Sequence, residues 1–152
     1  MSIVLVGEMN PYGSHPRHAL FDEPPNSAGG RLRRRILGMR SEDYLALARY
    51  NLCVGAWDLA RARERAREIT ASHPGDAIVM LGRKVAGAFD RSGMGAFEVE
   101  IVRTFFQANS FVALPHPSGR CLVWNEPGSI PRARSLLRQV DPTLALATEA
   151  RS

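Results

Sequence analysis

Three short runs of apolar residues divide the chain, and each is followed by residues that favour turns. Residues 3–6 are continuously apolar and end at Gly7, and the runs AIVML at 77–81 and FVALP at 111–115 have the same character. Continuous apolar runs of this length are typical of strands buried on both faces of a parallel sheet. The run RYNLCV at 49–54 predicts a further short strand.

Helical patterns separate the predicted strands. Amphipathic or charged segments predict helices at 28–37, 41–48, 57–72, 82–89 and 129–140. Ser27 and Ser41 are the expected N-caps of the first two helices. Residues 97–107 are ambiguous between strand and helix, and residues 8–26 read as a long loop rich in Pro, Gly, His and Asn.

The alternation of short apolar strands with helices predicts an α/β fold. We expect a three-layer α/β/α sandwich around a central, mainly parallel four-stranded sheet. The chain has 152 residues, enough for one ordinary domain, which we place at 1–142 with a loose C-terminal tail at 143–152.

Composition narrows the class of protein. No apolar run approaches the length of a membrane span, and the first residues lack the pattern of a signal peptide, so we expect a cytoplasmic protein without a membrane partner. Two cysteines, Cys53 and Cys121, are too few for a disulfide framework and are expected to be small buried apolar residues. The spacing of His, Cys and carboxylates suggests no metal site, and we expect no metal and no cofactor.

The charge points to a polyanion, with one competing explanation. Twenty basic and fifteen acidic residues give a net charge of +5, which fits a partner such as DNA because binding of phosphates releases counterions. However, Lys84 is the single lysine, and a chain rich in Arg and Ala also arises from codon bias. Charge alone leaves DNA binding open.

Two of the predicted strands end in unusual loop sequences. GEMNPYG at 7–13 follows the first strand, and HPSG at 116–119 follows the last. In open parallel sheets, ligands bind at the carboxyl ends of the strands, so both sequences are placed where a site is expected. Together and in this order they resemble the two signature motifs of the uracil-DNA glycosylase superfamily.

Other features extend this resemblance from residue 3 to about residue 137. Phe21 lies eleven residues past Asn10 of the first motif, SAGGRL opens the first helix, and Asn51 ends a middle strand. The first motif has one residue more between Gly7 and Asn10 than is usual in the family. Domain 1–142 is therefore expected to be a single uracil-DNA glycosylase-like domain.

The resemblance implies a division of catalytic roles. Asn10 would position the attacking water on the sugar side, and Glu8 is the alternative for that role; Asn orients water but is a poor general base. His116, held between two prolines, would donate a hydrogen bond to the oxygen that becomes negative as the base departs. A turn-forming role for Asn10 and a simple loop role for His116 remain the structural alternatives.

The resemblance also implies binding residues. Phe21 would stack on an extruded base and Asn51 would read its polar edge, while core packing and a buried hydrogen-bond network are the respective alternatives. The substrate-binding set is Gly7, Met9, Pro11, Tyr12, Phe21 and Asn51, and the DNA-binding set is Ser118, Gly119 and Arg120. Leu122 or Trp124 would fill the place of the extruded base, although Trp124 could instead anchor the last helix.

The resulting hypothesis is a monofunctional DNA glycosylase-like hydrolase. It would cleave the N-glycosidic bond of uracil or a related modified pyrimidine in DNA, acting as a monomer on an extruded base. The motifs contain no Lys for a Schiff base, so no lyase step is expected. Two alternatives remain open: a DNA- or base-binding module that has lost turnover, and an enzyme that acts on a free or modified pyrimidine nucleotide.

Overall fold

The computed structural model describes residues 2–10 and 18–146, which form an α/β fold around one sheet. The strands are β1 (Ile3–Asn10), β2 (Ala48–Val54), β3 (Ala77–Leu81), β4 (Glu98–Arg103) and β5 (Ala108–Leu114). The helices are α1 (Ala28–Arg31), continued by a π-helical segment Leu32–Leu37, then α2 (Ser41–Leu45), α3 (Leu59–Ser72), α4 (Arg83–Ala88), a 3₁₀ helix Leu122–Asn125, and α5 (Ser129–Val140).

The sheet has five strands in the order β2-β1-β3-β5-β4. The four predicted strands pair in parallel, and β4 pairs antiparallel with β5. The predicted α/β class with a mainly parallel sheet is confirmed, but the predicted number of four strands is wrong. The fifth strand comes from the ambiguous residues 97–107: EVEIVR is a mostly exposed edge strand, so it lacks the continuous apolar run of the buried strands.

Two apolar cores lie on opposite faces of the sheet. Alternate residues of β1 separate between them, because successive strand side chains point to opposite faces: Leu5 joins the core under the π-helical segment and α5, whereas Val6 joins the core under α3 and α4. Helices therefore cover both faces, in agreement with a three-layer arrangement.

Strand β1 is longer than its apolar run. It continues through Glu8 and Met9 to Asn10, and Asn10 is paired with Val54 of β2. The expectation that the loop starts at Glu8 is therefore wrong. Pairing with β2 extends the strand, although its last three residues do not form an apolar run.

Local signals at the helix ends were partly correct. Ser27 caps α1 as expected, with its Oγ accepting a hydrogen bond from the N–H of Gly30 at 3.0 Å. Ser41 is not an N-cap: Arg40 occupies that position, and the Ser41 hydroxyl donates to Asp22 Oδ2 at 2.6 Å.

In the described part of the tail, Leu144 and Leu146 pack against the core, so this part is not loose. No helix within the described residues is long and apolar enough to cross a membrane.

Candidate functional site

A cavity of about 280 Å³ opens at the carboxyl ends of β1 and β5. Six residues of the predicted site line it: Gly7, Glu8, Met9, Phe21, Asn51 and His116. The residues from β1, β2 and the end of β5 come together because these strands end at the same edge of the sheet, and Phe21 reaches the cavity from the segment before α1. The two sequence motifs thus form two walls of one cavity.

Glu8 and His116 lie next to each other in the lining of this cavity. Glu8 Oε1 lies 3.8 Å from His116 Nε2, with side-chain exposures of 20% and 31%. This distance is too long for a hydrogen bond, so the two groups leave room for a further polar atom to approach either of them. The pair is accessible from the cavity and partly shielded from bulk water.

The backbone sets the protonation pattern of the His116 ring. The N–H of Ser118 donates to His116 Nδ1 at 3.1 Å. A neutral imidazole that accepts at Nδ1 carries its proton on Nε2. His116 is therefore arranged to donate a hydrogen bond from Nε2, the atom that faces Glu8.

Two residues outside the predicted catalytic and binding sets fix the position of His116. Trp124 is buried, and its Nε1–H donates to the His116 carbonyl at 3.0 Å. Gly82 adopts φ +104°, and a Cβ there would lie 3.3 Å from His116 Cβ and 3.5 Å from Glu8 Oε1. Trp124 thus holds the backbone of the second motif, and the absence of a side chain at position 82 allows His116 and Glu8 to lie close to residue 82.

Asn51 connects two walls of the cavity through the backbone. Its Oδ1 accepts from the N–H of Leu20 at 2.9 Å, and its Nδ2 donates to the Met9 carbonyl at 3.0 Å. A Cβ on Gly7 would lie 2.7 Å from Leu20 Cδ2 and 2.9 Å from Asn51 Nδ2. The hydrogen-bond network that was the structural alternative for Asn51 is therefore present, and a side chain at position 7 would push Leu20 or Asn51 out of place.

The wall that carries Phe21 is fixed from behind. The Tyr44 hydroxyl donates to the Leu20 carbonyl at 2.6 Å, and burial raises the pKa of Tyr44 well above its usual range. Gly29 packs directly under this segment, since a Cβ there would lie 2.1 Å from the Phe21 carbonyl oxygen. Phe21 is half-buried and meets His18 edge-on at 5.8 Å between ring centroids. Its ring is thus held at the cavity wall.

Asn10 is not part of this cavity. It is 4% exposed and lines a separate groove along β2. Pro11 and Tyr12 lie outside the described residues. The structure therefore brings Glu8, and not Asn10, to His116.

The predicted DNA-binding residues lie beside the cavity. Ser118 is half-buried, whereas Gly119 and Arg120 are exposed. Leu122 is also exposed, in contrast to Trp124, whose burial fits its anchoring role. The guanidinium of Arg31 approaches this loop as well, since a Cβ on Gly119 would lie 3.5 Å from Arg31 Nη1. Nothing in the sequence pattern of α1 distinguished Arg31 from the neighbouring arginines.

No cluster of three or more His, Cys, Asp or Glu side chains in residues 2–10 and 18–146 has the arrangement of a metal site. Comparison of the chain with protein-family models gives no match, and comparison with curated proteins gives none either.

Proposed function

We propose that the protein is a DNA glycosylase-like hydrolase that cleaves the N-glycosidic bond of uracil or a related modified pyrimidine. The observation that carries the proposal is the Glu8–His116 pair, 3.8 Å apart in the wall of a cavity of about 280 Å³. A cavity at the lower end of the size range for small-molecule sites suits a single-ring base. The aromatic ring of Phe21 in its wall supplies a stacking surface for that base.

The two groups match the two charges that develop in such a reaction. Glu8 accepts a proton from the attacking water as the water oxygen forms a bond to the sugar C1′. The C1′–N1 bond breaks, and its electron pair leaves with the base. His116 Nε2–H donates a hydrogen bond to the base carbonyl oxygen on which this negative charge accumulates.

The extra residue in the first motif supports Glu8 for the water-positioning role. Because β1 continues to Asn10, Glu8 is held within a strand beside Gly82 and opposite His116. A carboxylate is also a stronger general base than a carboxamide. In the proposal, Asn10 belongs to the wall of the neighbouring groove and takes no part in the chemistry.

The test is a panel of single-stranded and duplex oligonucleotides that carry uracil, hydroxymethyluracil or a mismatched thymine. Base release is measured as strand cleavage after alkaline treatment of the abasic product. We expect release from at least one substrate and a loss of roughly 10²-fold or more for Glu8→Gln, since a general base contributes 10² to 10⁴. Glu64→Gln, at an exposed carboxylate outside the cavity, is the matched control, and Asn10→Ala should lower release less than Glu8→Gln because Asn10 lines only the neighbouring groove.

Each contrary result has a definite meaning. No abasic product from any oligonucleotide contradicts the proposal. Release that depends on Asn10 and not on Glu8 would transfer the water-positioning role to Asn10. Release from the free nucleotide alone would show that DNA is not the substrate.

A further inference from the structure

We infer that a second groove, along the free edge of β2, binds the phosphodiester backbone of the nucleic-acid strand whose base enters the cavity. This inference rests on the proposed function. The groove has a volume of about 470 Å³ and runs between β2 and the first turns of α3. It adjoins the cavity, because Asn51 lines both.

Three arginines give the groove its character. Arg49 comes from β2, and Arg61 and Arg65 come from α3. Arg61 and Arg65 are four residues apart, so they lie on one face of the helix about 6 Å apart along its axis. The guanidinium group binds phosphate oxygens through paired donors, which makes a row of arginines suited to a sugar–phosphate chain.

The acidic groups near the groove only partly offset these charges. Asp58 lines the groove: its Oδ1 caps α3 by accepting from the N–H of Arg61 at 3.2 Å, and its Oδ2 lies 4.0 Å from Arg61 Nε in an exposed ion pair. Glu68 contacts Arg65 at 3.1 Å in an exposed pair, which contributes little to stability. Arg49 Nη1 donates to the neutral carbonyl of Ala19 at 2.7 Å, and no carboxylate in the described residues forms an ion pair with it.

The position of the groove favours a nucleic acid over an acidic peptide. A strand that places one base in the cavity has its neighbouring phosphates within reach of the adjoining groove, whereas an acidic peptide has no group for the cavity. Tyr50 adds a half-buried aromatic side chain to the groove, with the Arg65 guanidinium 5.3 Å above its ring. Grooves that combine basic and aromatic side chains are typical of single-strand binding.

The experiment measures binding of a fluorescein-labelled oligothymidylate of 12 nucleotides by fluorescence anisotropy at several salt concentrations. Removing two phosphate contacts from a single strand lowers the slope of log affinity against log salt by about 1.4, which is about 25-fold in affinity at 0.1 M salt. We expect this loss for the double variant Arg61→Ala/Arg65→Ala.

The matched control is Arg63→Ala/Arg67→Ala. It removes the same charge from the same helix, but neither residue lines the groove. This control should keep a slope near that of the unmodified protein, and circular dichroism should show equal helix content in both variants. Equal losses in both variants, no loss in either, or no binding of the oligothymidylate at 50 mM salt would overturn the inference.

Two further arms separate the alternatives. Competition by polyglutamate as strong as that by unlabelled oligothymidylate would also overturn the inference, because the groove would then accept any polyanion. Base release is measured in parallel on the oligonucleotide panel. Groove-dependent binding without any base release would defeat the proposed function alone, and base release without groove-dependent binding would defeat the groove alone.

Discussion

Two histidine–carboxylate pairs lie at opposite ends of the sheet. His116 and Glu8 meet at the carboxyl end of β5, with 3.8 Å between Nε2 and Oε1, and His73 and Asp76 meet just before β3, with 3.3 Å between Nδ1 and Oδ2. The side-chain exposures are similar, 31% and 20% in the first pair and 18% and 26% in the second. Residue type and burial therefore do not distinguish them.

The partners of each ring make the difference. His73 Nε2 is 2.7 Å from the Tyr50 hydroxyl, its Nδ1 faces Asp76, and its carbonyl accepts from Asn109. In His116 the backbone of the second motif satisfies Nδ1 and leaves Nε2 directed at a cavity. A histidine whose polar atoms are all bound to protein joins elements of the fold, whereas one with a donor facing a cavity is a candidate for chemistry.

The largest expected effect of this difference is on base release. Replacing His116 with Ala should lower release about 10²- to 10³-fold, because it removes a preorganised donor to the departing base. His73→Ala is the matched control and should change release by less than about twofold per folded molecule. Both variants are assayed with the oligonucleotide panel, after thermal unfolding has shown which fraction is folded.

The outcome of that assay decides whether the comparison holds. Similar losses in the two variants would place both histidines in structural roles. A loss confined to His73→Ala would move the chemistry to the opposite end of the sheet.

The second effect is on the free energy of unfolding, through the packing of the cavity wall. Gly7→Ala should lower the free energy of unfolding by about 1 to 3 kcal/mol, because the added Cβ meets Leu20 and Asn51 at under 3 Å. Gly87→Ala is the control: in α4 the same added methyl group meets nothing within 4 Å, so it should stabilise by about 0.5 to 1 kcal/mol. Urea unfolding measures both, and a neutral Gly7→Ala would contradict the packing described for the cavity wall.

The third effect is a pH dependence of the free energy of unfolding, which arises from Tyr44 behind the same cavity wall. Burial raises the pKa of Tyr44 above its usual value near 10, so the folded chain keeps a proton that the unfolded chain releases. The corresponding stability is present below pH 10 and declines as the pH rises above it, by about 1.4 kcal/mol per pH unit. Tyr44→Phe is less stable at neutral pH because it loses the bond to the Leu20 carbonyl, but its decline in alkali should be shallower.

Urea unfolding at pH 9 and pH 11 measures this difference. By pH 11 the unmodified chain should have lost about 1.4 kcal/mol more than Tyr44→Phe. Equal losses would show that the phenol is not held neutral by burial.

The sequence predicted those features that depend on continuous burial. Three strands of the parallel sheet were evident because each is an apolar run, and β2 was predicted from a more mixed segment. The shared edge of the strands places Glu8, Asn51 and His116 at one cavity, which Asn10 does not line. The fifth strand was not evident, because β4 carries acidic residues on an exposed edge.

Other features of the cavity depend on contacts between residues that are distant in the sequence, so a local pattern could not predict them. The extension of β1 to Asn10 depends on its register with β2, and Asn10 lines the neighbouring groove whereas Glu8 lines the cavity. Likewise, the bond from Trp124 to the His116 carbonyl and the steric need for Gly82 arise from tertiary contacts. A local pattern contains no record of such contacts.

The smallest expected effect tests the structural member of the comparison directly. Tyr50→Phe removes the hydroxyl that lies 2.7 Å from His73 Nε2 and keeps the ring that packs under Arg65. One hydrogen bond contributes about 1 kcal/mol, so the free energy of unfolding should fall by about that amount. Because the ring stays in the groove, base release per folded molecule should fall much less than in His116→Ala. If Tyr50→Phe instead abolished release at unchanged stability, the hydrogen-bonded chain Tyr50–His73–Asp76 would take part in the chemistry. The hydrogen bonds that each ring makes to the protein would then not distinguish His73 from His116.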